Sequence, residues 1–421
     1  MTESLTELRE PVRFLSNRHG VLSLLVALAI ITFLDRIAIA SAAPRIQEDL
    51  HIPPEMWGWI LGAFVLSYGL FEIPTGALGD RLGQRRVLTR IVVWWSAFTC
   101  LTGTAFSFPQ LLATRFLFGA GEAGAYPNIS CALAHWFPAN ERARTQGYIW
   151  AASRFGGALA PILVVPLQEN VGWRWTFVIF GAWGMLWAAV WRKVYRDPLP
   201  LPASTDSDHA GIPWRTLLGW RQMWLIFTMY FCYAWGSWFY FGWFPVYLVK
   251  GAGFSETQMG IFAALPFLMG AAGNLGGGFL CDRLVVRFGL KAGRRLVGVA
   301  SLAASALLLV GMTMSRDHTT IVVFSSFGFG VADLMLPAAW AVCLDIGGTR
   351  AGLVTGVMNT AGQLGGFVCS VLFGYVVKAT GSYNVPVWAV AAMVMTAAIL
   401  FSRIDPTHQL VDDSSVKPAM R

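Results

Sequence analysis

Twelve apolar runs, each long enough to cross a bilayer as one helix, fill most of this 421-residue chain. A spanning helix needs ~20 mostly apolar residues, because only then does the hydrocarbon layer meet no unsatisfied polar backbone. The runs fall at 20–42, 57–77, 87–106, 109–135, 143–166, 173–194, 222–249, 257–281, 294–313, 319–345, 350–378 and 384–403. Charged residues make up 13% of the chain, about half of the ~25% that covers the surface of a soluble domain. Glycine, 44 residues in all, sits inside the apolar runs, as it does in membrane helices that pack backbone to backbone. The expectation is an all-α membrane protein of twelve transmembrane helices, with the bilayer as its solvent.

Several function classes drop out. The net charge of +8 is carried by short clusters between apolar runs, which fits membrane topology and not nucleic-acid binding. The six cysteines all lie in apolar segments without a CxxC pair, so neither a disulfide framework nor a metal site is expected, and no cofactor is implied. No nucleophile–base set is visible, and no loop or tail is long enough to hold a catalytic or signalling domain. The first run holds Asp35 and Arg36 and has no small-residue cleavage site after it, so it reads as a retained helix and not as a signal peptide.

Basic residues also set an orientation. With the N-terminus inside, 23 of the 31 Lys and Arg residues fall on cytoplasmic segments and five on the outer face. Arg36, Arg115 and Arg154 lie within helices. This bias predicts both termini in the cytoplasm.

The longest loop, 195–221, is rich in Pro, Ser and Asp and reads as a flexible linker. It divides the chain into a bundle at 1–194 and a second at 222–421. The halves are related: Gly76-Ala-Leu-Gly-Asp80-Arg81-Leu82 follows the second helix of the first half, and Gly278-Phe-Leu-Cys-Asp282-Arg283-Leu284 the second helix of the other. Two parallel six-helix repeats are a recognised transporter architecture.

The stretch Gly76–Arg86 resembles the loop signature of the major facilitator superfamily. Within it, the chain resembles the anion:cation symporter family, which includes bacterial hexuronate, galactonate and glucarate transporters and vesicular glutamate transporters. The residues that carry this are Leu34-Asp35-Arg36 and Pro44, Arg115-Phe-Leu-Phe-Gly-Ala-Gly-Glu122-Ala-Gly-Ala-Tyr-Pro127, Trp136-Phe-Pro138, Glu141-Arg142 and Gly356-Val-Met-Asn359. The resemblance implies two pseudo-symmetric bundles, proton-coupled symport by alternating access, a small organic anion such as a sugar acid, a functional monomer and a bacterial inner membrane. One departure is Phe33, where the family has a tyrosine, which weakens any link to galactonate itself.

A charge at the centre of a membrane helix costs at least ~2.5–3.5 kcal/mol, so each intramembrane ionisable residue is a candidate site. Arg115 and Glu122 are two turns apart and project from one face. Asp35 and Arg36 point ~100° apart on the first helix, so one can face a cavity and the other the fourth helix. The bland alternative is two salt bridges, Asp35–Arg115 and Arg36–Glu122, that only hold helices together. Buried pairs seldom gain much over apolar packing, which favours the functional assignment. In it, Asp35 and Glu122 take up protons, Arg36 binds the substrate carboxylate, and Arg115 partners an acid, as the resembling galactonate-type transporters imply. Arg154 adds a second cation suited to an anion or to pairing with Asp333. The resemblance implies that Tyr68 and Asn359 hydrogen-bond sugar-acid hydroxyls, and Trp340 either stacks on a substrate face or serves packing.

Asp80, Arg81, Arg85, Arg86 and Arg144, with Asp282 and Arg283 in the second half, form the expected cytoplasmic gate, which Glu72 joins. The string Gly119-Ala-Gly-Glu-Ala-Gly124 fits a dinucleotide-binding pattern, but it lies in an apolar helix with no strand before it, so close helix packing explains it better. The alternatives to proton symport are uniport, exchange or export of another carboxylate, or a membrane sensor without transport.

Overall fold

A computed structural model describes residues 10–197, 219–347 and 351–408. Among these every expected span is helical and no strand occurs. The helices are α1 (Glu10–Ser41), α2 (Ala43–Asp49), α3 (Pro54–Leu82), α4 (Gln84–Thr102), α5 (Phe108–Glu122), α6 (Ala125–Trp136) and α7 (Ala139–Val194). After the linker come α8 (Arg221–Trp238), α9 (Glu256–Phe262), α10 (Leu265–Phe288), α11 (Leu290–Met314), α12 (His318–Asp333), α13 (Met335–Gly347), α14 (Ala351–Thr380) and α15 (Asn384–Phe401). Seven stretches are long and apolar enough to cross a membrane by length and composition alone. One of them, 144–194, contains the two spans expected at 143–166 and 173–194.

The breaks between helices follow from backbone chemistry. Gly83 and Gly289 hold nearly the same positive-φ conformation (81° and 84°) directly after the second span of each half. Gly172 does the same inside α7 (φ 79°), so the fifth and sixth spans join at a kink and not through a loop. Only glycine adopts this conformation without strain. The seventh span runs from α8 into π-helical turns at Phe239–Trp243 and Tyr247–Gly251. Pro245, between them, lacks an N–H to donate to the preceding turn, and widened turns of this kind accommodate such a gap.

The chain packs as two units. The first comprises 1–42 and 67–207, the second 43–66 and 208–421. The segment 43–66 therefore belongs with the second unit, although it precedes the linker. Arg45 pairs with Glu256, Lys378 with Glu55 at 2.7 Å, and Lys250 donates to Gln47 at 2.7 Å. Gly58 lies so close to the Ser370 carbonyl that a Cβ would stand 2.6 Å from it.

Glycine sets helix spacing in both units. In the second, Cβ atoms on Gly273 and Gly277 would overlap the carbonyls of Gly330 and Leu334, so α10 and its neighbours at the α12–α13 break touch through backbone. Gly362 and Gly366 make room for Tyr230 and Trp238. In the first, Gly121 from the dinucleotide-like string faces the Trp94 ring. These glycines serve packing.

Candidate functional site

The buried charges of the first unit collect around one point, and a helix break puts one of them there. α5 ends at Glu122, and Gly124 (φ 83°) starts α6. A Cβ on Gly124 would stand 2.5 Å from Thr75 Oγ1 of α3, so position 124 requires glycine twice over. Asn128 Nδ2 donates to the carbonyls of Gly124 (2.7 Å) and of Thr75 on α3 (3.3 Å), and so ties the start of α6 to α3. Buried polar backbone must find such partners in a membrane.

Glu122 is fully buried. Arg36 of α1 donates to its Oε1 through Nε at 3.1 Å and through Nη2 as well. Oε2 of Glu122 has no hydrogen-bond partner among the described residues. The bridge considered from the sequence thus forms, and it is lopsided. The Arg36 guanidinium also lies over the rings of Phe33 (5.0 Å) and Tyr68 (4.9 Å). Arg154 of α7 approaches the same Phe33 ring at 6.0 Å. Two guanidinium groups therefore share one aromatic platform, an arrangement that stabilises cations in a desolvated place. Tyr126 closes the cluster: its ring meets Phe33 edge-on, stacks on Trp150 at 5.1 Å, and its hydroxyl shares a hydrogen bond with Ser153 at 2.7 Å.

Asp35, on the adjacent face of α1, turns to α4. Its Oδ2 accepts from Trp95 Nε1 at 3.2 Å, and Oδ1 has no donor among the described residues. Arg115 is buried on α5 with its guanidinium 4.4 Å from the Phe118 ring. Asp35, Arg115 and Glu122 are thus all buried within the first unit, and Glu122 holds Arg36. Glu72, one turn beyond Tyr68 on α3, is half-buried.

Tyr126, Ser153 and Trp95 were not singled out from the sequence. Tyr126 lay inside the motif of the fourth span, and only its ring contacts mark it. Trp95 looked like one more aromatic among 19 tryptophans.

The other expected residues are placed as follows. In the second unit Asp333 is fully buried as the last residue of α12 and accepts from Tyr233 Oη at 3.1 Å. It ends the first segment of the broken tenth span as Glu122 ends that of the broken fourth. Trp340 on α13 and Asn359 on α14 are half-buried. Asp282 and Arg283 are exposed near the end of α10, where Arg294 lies 3.9 Å from Asp282 and donates to Asp345 at 3.1 Å. In the first unit Arg85 donates to the carbonyl of Arg192, with Nε at 2.9 Å. Arg86 and Arg144 are exposed. The side chains of Asp80 and Arg81 lie outside the described residues.

Comparison with known proteins agrees with this architecture. The sequence pattern of the Major Facilitator Superfamily matches residues 25–369. The probable sulfoacetate transporter SauU of Cupriavidus necator is 33% identical over 93% of this chain and 95% of its own length. The hexuronate transporter of Bacillus subtilis is 30% identical over 88% of this chain and 90% of its own. The D-galactonate transporter of Escherichia coli is 28% identical over 86% and 90%. Among solved structures, a bacterial homologue of the human lysosomal transporter Spinster superposes with a TM-score of 0.78 at 19% identity, over 93% of this chain and 97% of that one.

Proposed function

This chain belongs to the Major Facilitator Superfamily of multi-pass membrane transporters, and on that premise we propose that it carries a small organic anion into the cell together with protons. The observation that carries the proposal is the Arg36–Glu122 pair. While Glu122 is ionised, it holds two of the guanidinium N–H groups of Arg36. A proton on Glu122 removes the charge that holds Arg36 and leaves the guanidinium to a substrate carboxylate. The converse also follows: an anion on Arg36 stabilises protonated Glu122. Each ligand thereby raises the affinity for the other, which is symport stated as a coupling free energy. Asp35 is the second proton carrier.

The substrate class follows from the second cation. Arg36 and Arg154 flank one ring, so the pair suits a compound with two acidic groups, one for each guanidinium. An aldarate or a short sulfonated acid has that form. The names of two relatives point the same way, for sulfoacetate and for galactarate or glucarate. Hexonates and hexuronates, with one acidic group and several hydroxyls, form the second class, in which Tyr68 and Tyr126 answer the hydroxyls.

Purified protein in proteoliposomes tests this through counterflow of labelled sulfoacetate, galactarate and galactonate, with and without an inward proton gradient. Accumulation driven by the gradient, and abolished by a protonophore, is expected. Counterflow that ignores the gradient would replace symport with exchange or uniport.

A further inference from the structure

The gating assignment leaves one feature of the first unit without a purpose. A cavity of about 720 Å³ opens between the start of α4 and the end of α7, lined by Leu82, Arg85, Arg86, Thr89, Arg90, Val93, Arg192 and Asp197. Four arginines face it and one carboxylate. That carboxylate is occupied elsewhere: Asp197 Oδ1 accepts the backbone N–H of Arg85 at 3.1 Å and so serves the first turn of α4. Arg85 is fixed by the Arg192 carbonyl. Among the described residues no carboxylate lies within ion-pair distance of Arg86, Arg90 or Arg192. Among the described residues, the cavity thus carries an excess of positive charge.

What adjoins it is apolar and open. Beyond Arg86 and Arg90 the same face of α4 exposes Val93, Trp94 (44%) and Leu101, at helical spacing. On α7 the exposed Val190, Leu186 (65%) and Trp183 lie about half a turn around the helix from Arg192, so only α4 continues the cavity as an apolar face. The two helices are held close where Gly181 and Gly184 meet Cys100 and Ser96. From Arg90 to Leu101 the helix rises ~16 Å, about half of the ~30 Å hydrocarbon core. One leaflet of a bilayer has this profile: a charged head and an apolar tail of that length.

We propose that this cavity binds the phosphate of an anionic phospholipid, with Arg86, Arg90 and Arg192 on the headgroup and the acyl chains along the exposed face of α4. A water-borne anion would use the arginines but gain nothing from Leu82, Val93 and the apolar stripe. A lipid uses both. The site is separate from the buried cluster at Glu122, so it stands or falls independently of the transport proposal.

Native mass spectrometry of the full-length protein, titrated in detergent with phosphatidylglycerol or phosphatidylcholine, tests it. Wild type is expected to retain phosphatidylglycerol in preference, and R90Q/R192Q to lose that preference by on the order of tenfold or more, at roughly fivefold for each charge removed near a membrane surface. The charge-conserving R90K/R192K should keep most of it. Equal retention of the two lipids by wild type, or an unchanged preference in R90Q/R192Q, would overturn the proposal. Displacement of phosphatidylglycerol by millimolar inorganic phosphate would overturn it too, in favour of a free-anion site. If the double variant does not purify as a single species, R90Q alone and the wild-type lipid preference decide between these outcomes.

Discussion

Arg36 gives Nε and Nη2 to one oxygen of Glu122, while the other oxygen of that carboxylate has no donor among the described residues. The pair joins α1 to the last residue of α5, at a break that Gly124 imposes. A structural bridge would satisfy both oxygens. This one leaves a place for a proton.

The first expectation concerns that proton. E122Q keeps the shape of the side chain and carries no charge, so it imitates the protonated state permanently. Wild-type uptake should rise as the outer pH falls, and uptake by E122Q should be flat with pH. Exchange of labelled for unlabelled anion should survive in E122Q, because Arg36 stays available. Gradient-driven accumulation by E122Q would remove Glu122 from the coupling scheme.

Arg154 separates substrate classes. A hydrogen bond to a charged group contributes about 1.5–3 kcal/mol, which is roughly ten- to a hundredfold in affinity. R154Q should weaken binding of galactarate by that factor and of galactonate by much less, read by calorimetry on purified protein. Equal losses for the two would mean that Arg154 acts on the fold or on Phe33 and not on a second acidic group.

Close packing supplies a third test. In G273A the new methyl would overlap the Gly330 carbonyl, so α10 and α12 must separate. Overpacking of this kind costs about 1–3 kcal/mol. A lowered thermal transition in detergent is expected. Gly278, further along α10, has nothing within 4 Å of where a Cβ would stand, and G278A should melt like wild type or slightly above it.

Outside the membrane, Asp405 predicts a pH dependence. Burial works to raise its pKa, but the Lys291 ammonium at 2.5 Å and the Thr407 hydroxyl and N–H hold the carboxyl well below the usual carboxylate range. A depressed folded-state pKa contributes stability that is present above the unfolded value and lost as pH falls through the folded one. D405N should therefore melt lower than wild type at neutral pH. The two should converge in acid, below about pH 4.

Much of this was legible along the chain. The helical spans lie where the apolar runs lie, because a bilayer imposes one length on every crossing, although only seven stretches of the described residues are long and apolar enough by composition alone. The repeat after the second span was visible as well, and the positive φ of Gly83 and Gly289 gives it a backbone meaning. Asp35, Arg36, Arg115, Glu122 and Arg154 were legible because a charge in an apolar run is costly and stands out. Trp95 and Tyr126 were not, since an aromatic side chain in such a run has no cost that marks it. Segment 43–66 was placed with the first half by sequence order, whereas Arg45, Gln47 and Glu55 tie it to the second unit.

The sequence by itself thus determined where the apolar spans lie and which charges fall inside them. These are local matters of hydration and backbone freedom, set within a few residues. The tertiary structure alone decided that Arg36 takes Glu122 while Asp35 takes Trp95, and that Arg154 joins Arg36 at Phe33. Partner choice depends on how each helix is rotated about its axis, and that rotation is fixed by packing against residues far away in the chain.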